Sequence, residues 1–183
     1  MILGTQRRVR IIDMSCYTRI RSVLLAGFMA LLLTTSPVAA NPTDGSLRFD
    51  VELDGRPIGD HTFSFTSDSD GSLNVAIDID LEVKFGLFTV FAYTHRNRTT
   101  WRGGHLAAMD SETDDNGEQH WVRVRANNNT LTVSSDQGEG IDVPATMLPT
   151  TYWMASTTRQ TKLINSQTGE LLDVAVHEVG RES

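Results

Sequence analysis

Cysteine is almost absent from this chain: Cys16 is the single one, and it lies ahead of the apolar run "VLLAGFMALLL" from Val23 to Leu33. A lipoprotein cysteine would follow such a run, at the cleavage point, so Cys16 is not one. Positive charge is also scarce. The formal net charge is −7, and a chain beginning after Ala40 keeps 11 Lys and Arg against 22 Asp and Glu, a net of −11. Such a surface repels phosphate backbones and anionic lipid, which excludes nucleic acid as a partner. Nucleophile machinery is missing too. There is no G-x-S-x-G elbow and no glycine-rich loop followed by lysine, and no cofactor is implied. Nor does any window carry a long helical repeat of apolar residues.

The N-terminus reads as an export signal. Arg7, Arg8, Arg10, Arg19 and Arg21 precede the apolar run, and "TTSPVAA" follows it, with Val38 and Ala40 as the small residues before a cut. A basic lead, a short apolar core and a small-residue site make a secretory signal peptide. The run is shorter than the roughly 20 residues a bilayer-spanning helix needs. Met14 is an alternative start, and the paired arginines in "QRRVRII" lie too far upstream for a twin-arginine signal. The expectation is a signal peptide over residues 1–40, cleaved after Ala40, and one all-β domain over residues 41–183. That chain would be periplasmic or secreted, and would carry no disulfide, thiol nucleophile or transmembrane segment.

What the chain does have is alternation. In "LNVAIDIDLEVKF", Leu73, Val75, Ile77, Ile79, Leu81, Val83 and Phe85 alternate with mostly polar neighbours. "LRFDVEL" does the same with Leu47, Phe49, Val51 and Leu53. Alternation over such lengths means strands with one buried and one wet face. "DGRP", "SDSDGS", "DDNGE" and "NNNT" are turn sequences, because Asp, Asn and Gly tolerate positive φ. The expected strands are 46–53, 57–66, 72–85, 88–101, 105–113, 119–126, 130–135, 162–166 and 170–179. One short helical turn is expected near 152–157. Eight or nine strands in an antiparallel meander with one apolar face predict a barrel or a strongly curved half-barrel.

Three segments, "FDVELDGRPIGDHTF", "YTHRNRTTWRGGHLAAMDSETDDNG" and "TTYWMASTTRQTKLINSQTGE", span most of the chain from Phe49 onward. In them the chain resembles the bacterial secreted family catalogued as domain of unknown function 6134. The resemblance implies fold and compartment and carries no established activity. Two positions depart from the family's pattern: an acidic residue is common where Thr99 or Thr100 stands, and an asparagine where Met154 stands.

Candidate sites are few. An EF-hand loop starting at Glu112 would place Asp114 and Asn116 at alternate positions and Gly117 at the sixth, but Arg123 falls at the twelfth, where a carboxylate is required. The stretch is a turn decorated with acids, and no metal site is expected. His61 shares strand parity with Phe63 and Phe65, and His95 with Phe91 and Tyr93, so both point inward. Two inward imidazoles suit a ligand, a metal or acid–base work, or are hydrogen-bonded core histidines. His105, His120 and His177 sit beside polar or turn residues and look exposed. Trp101, Trp121, Tyr152 and Trp153 either line a pocket or plug one end of the sheet. The tentative ligand-binding set is therefore His61, His95, Trp101, Tyr152 and Trp153. "FGLFTVFAY" is apolar at both parities, so it is either covered or a patch for a lipid or protein.

Three functions fit these residues. One is non-enzymatic binding of an apolar or amphipathic, lipid-like small molecule. Another is an envelope accessory or assembly protein acting through protein contacts near Phe85 to Tyr93. The third is a hydrolase or isomerase using His61, His95 or the acids near Asp114.

Overall fold

The alternating segments form long strands in the computed structural model, which describes residues 44–176. Strands β1 (Gly45–Leu53), β2 (Arg56–Ser67), β3 (Leu73–Phe85), β4 (Phe88–Arg102), β5 (His105–Asp115), β6 (Glu118–Asn127), β7 (Thr130–Ser135) and β8 (Gly138–Pro144) succeed one another along the chain. Each is antiparallel to the next, in one eight-stranded sheet. Then come β9 (Leu148–Pro149), a 3-10 turn over Ala155–Arg159, β10 (Lys162–Ile164) and β11 (Leu171–Asp173). In this second, three-stranded sheet β10 is parallel to β9 and antiparallel to β11.

The meander is as expected, but the barrel is not. Strands β1 and β8 are the two edges of an open sheet, which is neither closed nor strongly curved. The apolar face is covered instead by residues 145–175. Phe63, Phe65, Val75, Ile77, Met109, Val122, Val124, Leu131 and Val133 from the sheet are buried with Met147, Leu148, Leu163 and Ile164 from that cover. A sheet face buried by its own chain has no need to curl on itself. The last two strands are shorter than expected, the helical turn lies a few residues later, and β8 and β9 were not foreseen. "GEGIDVP" hides β8, because Gly and Pro are depleted from strands. The expected signal peptide, its cleavage site, His177 and the end of the 170–179 strand lie outside the described residues.

Cross-strand register divides the side chains cleanly. The covered face carries the apolar set. The other face carries charge, with Arg96 on Asp80 at 2.6 Å, Arg98 on Asp78 at 2.8 Å and Arg125 on Asp110 at 2.7 Å. Exposed pairs of this kind contribute about 0–1 kcal/mol each, so they maintain solubility and register more than stability.

Two irregularities shape the end of the sheet where β2, β3 and β4 run side by side. Between Val51 and Glu52 the β1–β2 register shifts, and Gly59 sits there with φ +151°. A Cβ at Gly59 would meet the Asp80 carbonyl oxygen at 1.8 Å, so only glycine lets β2 approach β3 at this point. The second shift lies between Val83 and Lys84. It sorts "FGLFTVFAY": Phe85 pairs with Phe88 and Val83 with Phe91 on the apolar face, while Lys84 pairs with Thr89 on the polar one. The bulge lies beyond Phe91, so the parity of His95 is untouched.

Candidate functional site

One row across the covered face, in register, reads Phe49, His61, Ile79, His95, Thr113, His120. His61 and His95 are thus two strands apart, about 9.6 Å between backbones, with Ile79 between them. Above this row the cover passes twice, through Thr150–Tyr152 and Asn165–Gln167. The space between is a cleft of about 180 Å³, floored by Ile77 and Ile79 and walled by His61, Tyr93 and His95. Thr150, Thr151, Tyr152, Asn165, Ser166 and Gln167 close it from above.

Hydrogen bonds fix the cover over the cleft. The Ser111 hydroxyl donates to the Ser166 carbonyl at 2.6 Å. The Tyr93 hydroxyl donates to Gln167 Oε1 at 3.2 Å, and Gln167 Nε2 donates to Asp115 at 3.1 Å. Thr150 Oγ1 accepts from the Ser166 backbone N–H at 3.0 Å. Gly169, with φ +80°, turns the chain hard against the sheet, where a Cβ would meet the Ser135 side chain at 2.9 Å.

The two imidazoles differ in what holds them. His95 is buried, and its Nδ1 lies 2.8 Å from Thr113 Oγ1. Burial, then repulsion from His61 and Arg96, lowers its pKa to about 4. His61 stacks on Phe63 with ring centroids 4.4 Å apart. Burial lowers its pKa as well, and its Nε2 is buried without a hydrogen-bond partner among the described residues. Both rings are therefore neutral at pH 7. Tyr93 beside them is pushed up by burial and by Asp115, so it too stays uncharged.

The Tyr-Trp pair divides. Tyr152 takes a left-handed backbone, φ +56°, costly for a bulky residue. Tyr152 stays exposed and lines the cleft. Trp153 turns inward, edge-on to Trp101 at 5.3 Å and to Phe65 at 5.6 Å. Trp101 is buried, and its Nε1 donates to Thr99 Oγ1 at 2.8 Å. Thr99 thus serves as the acceptor that the buried indole requires. Of the expected site residues, His61, His95 and Tyr152 come together, whereas Trp101 and Trp153 form the plug beside them.

The remaining candidates fall elsewhere. Asp114 lies on the charged face, accepting from the Gly117 N–H at 2.7 Å, with the sheet between it and the histidines. His105 is exposed. His120 is half-buried instead of exposed, held to Asp136 at 3.0 Å, and that hydrogen bond raises its pKa. No group of three or more His, Cys, Asp or Glu able to hold a metal occurs among the described residues, and no helix there is long and apolar enough to cross a membrane. Thr151, Asn165, Ser166 and Gln167 were missed. They sit in polar turn sequence, with no signal beyond their type.

A larger groove of about 450 Å³ opens where the β1–β2 turn leaves β3, lined by Leu53, Asp54, Arg56, Pro57, Ile58, Glu82, Val83 and Lys84. Its walls are charged and solvated, and none of its lining side chains holds a buried polar atom without a partner. The smaller cleft is the better site, since ligand recognition relies on a few placed polar groups over apolar walls.

Residues 49–183 match the family model described as "Domain of unknown function (DUF6134)", which agrees with the resemblance carried by the segments that begin at Phe49, Tyr93 and Thr150. Among curated proteins and solved structures nothing matches the chain.

Proposed function

The chain belongs to the DUF6134 family, and we propose that this member is a non-catalytic, exported binding protein. In this reading its cleft takes the uncharged polar end of an amphipathic small molecule. The carrying observation is the buried His61 Nε2, left without a partner on the wall of a cleft whose opposite wall is a second neutral imidazole. A buried polar atom without a partner costs about 1–3 kcal/mol, and a ligand hydroxyl or carbonyl facing it would recover that cost. Charged ligands are disfavoured, because no carboxylate, lysine or arginine lines the cleft to pair with them.

Acid–base chemistry is the weaker reading. A catalytic imidazole is normally oriented by a carboxylate on its far nitrogen, while His95 leans on Thr113 and Asp114 lies across the sheet. Histidine ring NMR during titration with 1-monobutyrylglycerol tests the binding reading. The His61 and His95 signals should shift saturably while those of His105 and His120 stay put. Binding that leaves His61 and His95 unmoved, or no binding at all, would overturn it. Export is tested separately: N-terminal sequencing of the mature protein should begin at Asn41.

A further inference from the structure

The cleft is small for a whole amphiphile. Its 180 Å³ falls below the roughly 300–1,000 Å³ of pockets that enclose drug-sized ligands, so only a head group fits within it. Where the rest of such a molecule would go is marked by the strands that run out of the cleft. Strand β3 is paired to β2 only as far as Leu81, and β4 to β5 only from Tyr93. Beyond those points β3 and β4 continue as a two-stranded ribbon. Its apolar face starts at Leu81 and Tyr93, two residues along each strand from Ile79 and His95, and proceeds through Val83 and Phe91 to Phe85 and Phe88. Phe85 and Phe88 are 79% and 75% exposed. Within the register row that borders the cleft, Gly59 stands opposite Leu81 and adds no side chain to flank the strip.

Resting on the binding reading of the cleft, we propose that this strip carries the alkyl chain of a single-chain amphiphile whose uncharged head occupies the cleft. From Ile79 to Phe85 the strip is about 20 Å long at 3.3 Å per residue, and it is one hairpin, about 4.8 Å between strands, in width. Those dimensions suit one extended long alkyl chain. Charge argues against a bilayer as the occupant. On the ribbon's polar face Lys84 is paired with Glu82 at 2.8 Å, which neutralises its charge. A chain starting at Asn41 also has a net charge of −11, which repels anionic lipid.

The test is a chain-length series of 1-monoacylglycerols, from butyryl through octanoyl to lauroyl, each kept below its micelle concentration. Affinity should rise about twofold per methylene, half the logarithmic gain of full burial, because the strip covers one side of the chain. The Phe85→Ser/Phe88→Ser double variant should flatten that rise and leave butyryl affinity unchanged. Phe88→Ser alone, at an exposed strip residue outside the core, provides a second variant that leaves packing intact and should flatten the far end of the series only. A series with no slope, or a slope the variants do not alter, overturns the strip while butyryl shifts at His61 and His95 keep the cleft reading alive. Loss of those butyryl shifts as well means the cleft reading has failed. Variants that change only the oligomeric state would make the strip a protein interface and overturn the proposal.

Discussion

The root and the tip of the β3–β4 hairpin are written in the same alternating code and end in different surroundings. At the root, Leu73, Val75 and Ile77 face Trp101, Thr99 and Asn97, and all six are buried under residues 145–175. At the tip, Phe85 and Phe88 pair in the same way and stand in solvent. Between the two lie Ile79 and His95, at the margin of the cover, and there the cleft forms. A binding site at such a margin is physically reasonable. Farther in, the side chains of the row are buried against the cover, and farther out Phe85 and Phe88 stand in solvent without walls around them.

Substitutions at the two ends should therefore separate widely. Trp101→Ala removes a buried indole that packs on Trp153 and should cost about 3–5 kcal/mol in urea denaturation. Phe88→Ala at the tip should stay within about 0.5 kcal/mol. Comparable losses at both ends would mean that the tip is covered in solution and would remove the contrast.

The margin itself should respond to pH. His95 has a folded pKa of about 4, below the 6.5 of a free imidazole, so the unfolded chain binds the proton more readily. Its contribution is fully present above about pH 6.5 and is lost as pH falls toward 4, a difference of about 3 kcal/mol. His120, raised by Asp136, works in the opposite sense: its contribution is present below pH 6.5 and fades as pH rises through its folded value. Denaturation midpoints from pH 7 to pH 4 should fall in the parent and fall much less in His95→Gln. Equal slopes would place His95 in a wetter setting than the root.

Smaller effects probe what holds the cover in place and what the far face contributes. Ser111→Ala leaves the Ser166 carbonyl without its buried donor and should cost about 1–2 kcal/mol, together with faster amide exchange over residues 163–167. Arg125→Ala, on the charged face, should cost less than about 1 kcal/mol and less still in high salt. If Arg125→Ala proved more damaging than Ser111→Ala, the charged ladder would rank above the cover in holding the fold.

Much of this was legible from residue type and spacing. Alternation and turn sequences together marked seven of the eight meander strands nearly to their ends, and parity put His61 and His95 on the same face. The eighth strand escaped because its Gly and Pro content mimics a loop. The cleft was only half legible. Tyr152 and Trp153 look like one aromatic unit, yet Tyr152 lines the cleft and stays exposed while Trp153 packs on Trp101 and Phe65. Thr151, Asn165, Ser166 and Gln167 become site residues only because Ser111, Asp115 and Tyr93 dock their segment above the imidazoles.

By itself the sequence determined which side chains share a face, because a strand's period of two is a local property of the backbone. It also determined where the turns lie, through the residues that tolerate positive φ. Whether the sheet would close was a tertiary decision. Closure requires the first strand to meet the last, which depends on accumulated tilt and stagger and not on any local pattern. Here residues 145–175 bury the apolar face, β1 and β8 remain apart, and the extent of that cover sets where the core ends and the cleft begins.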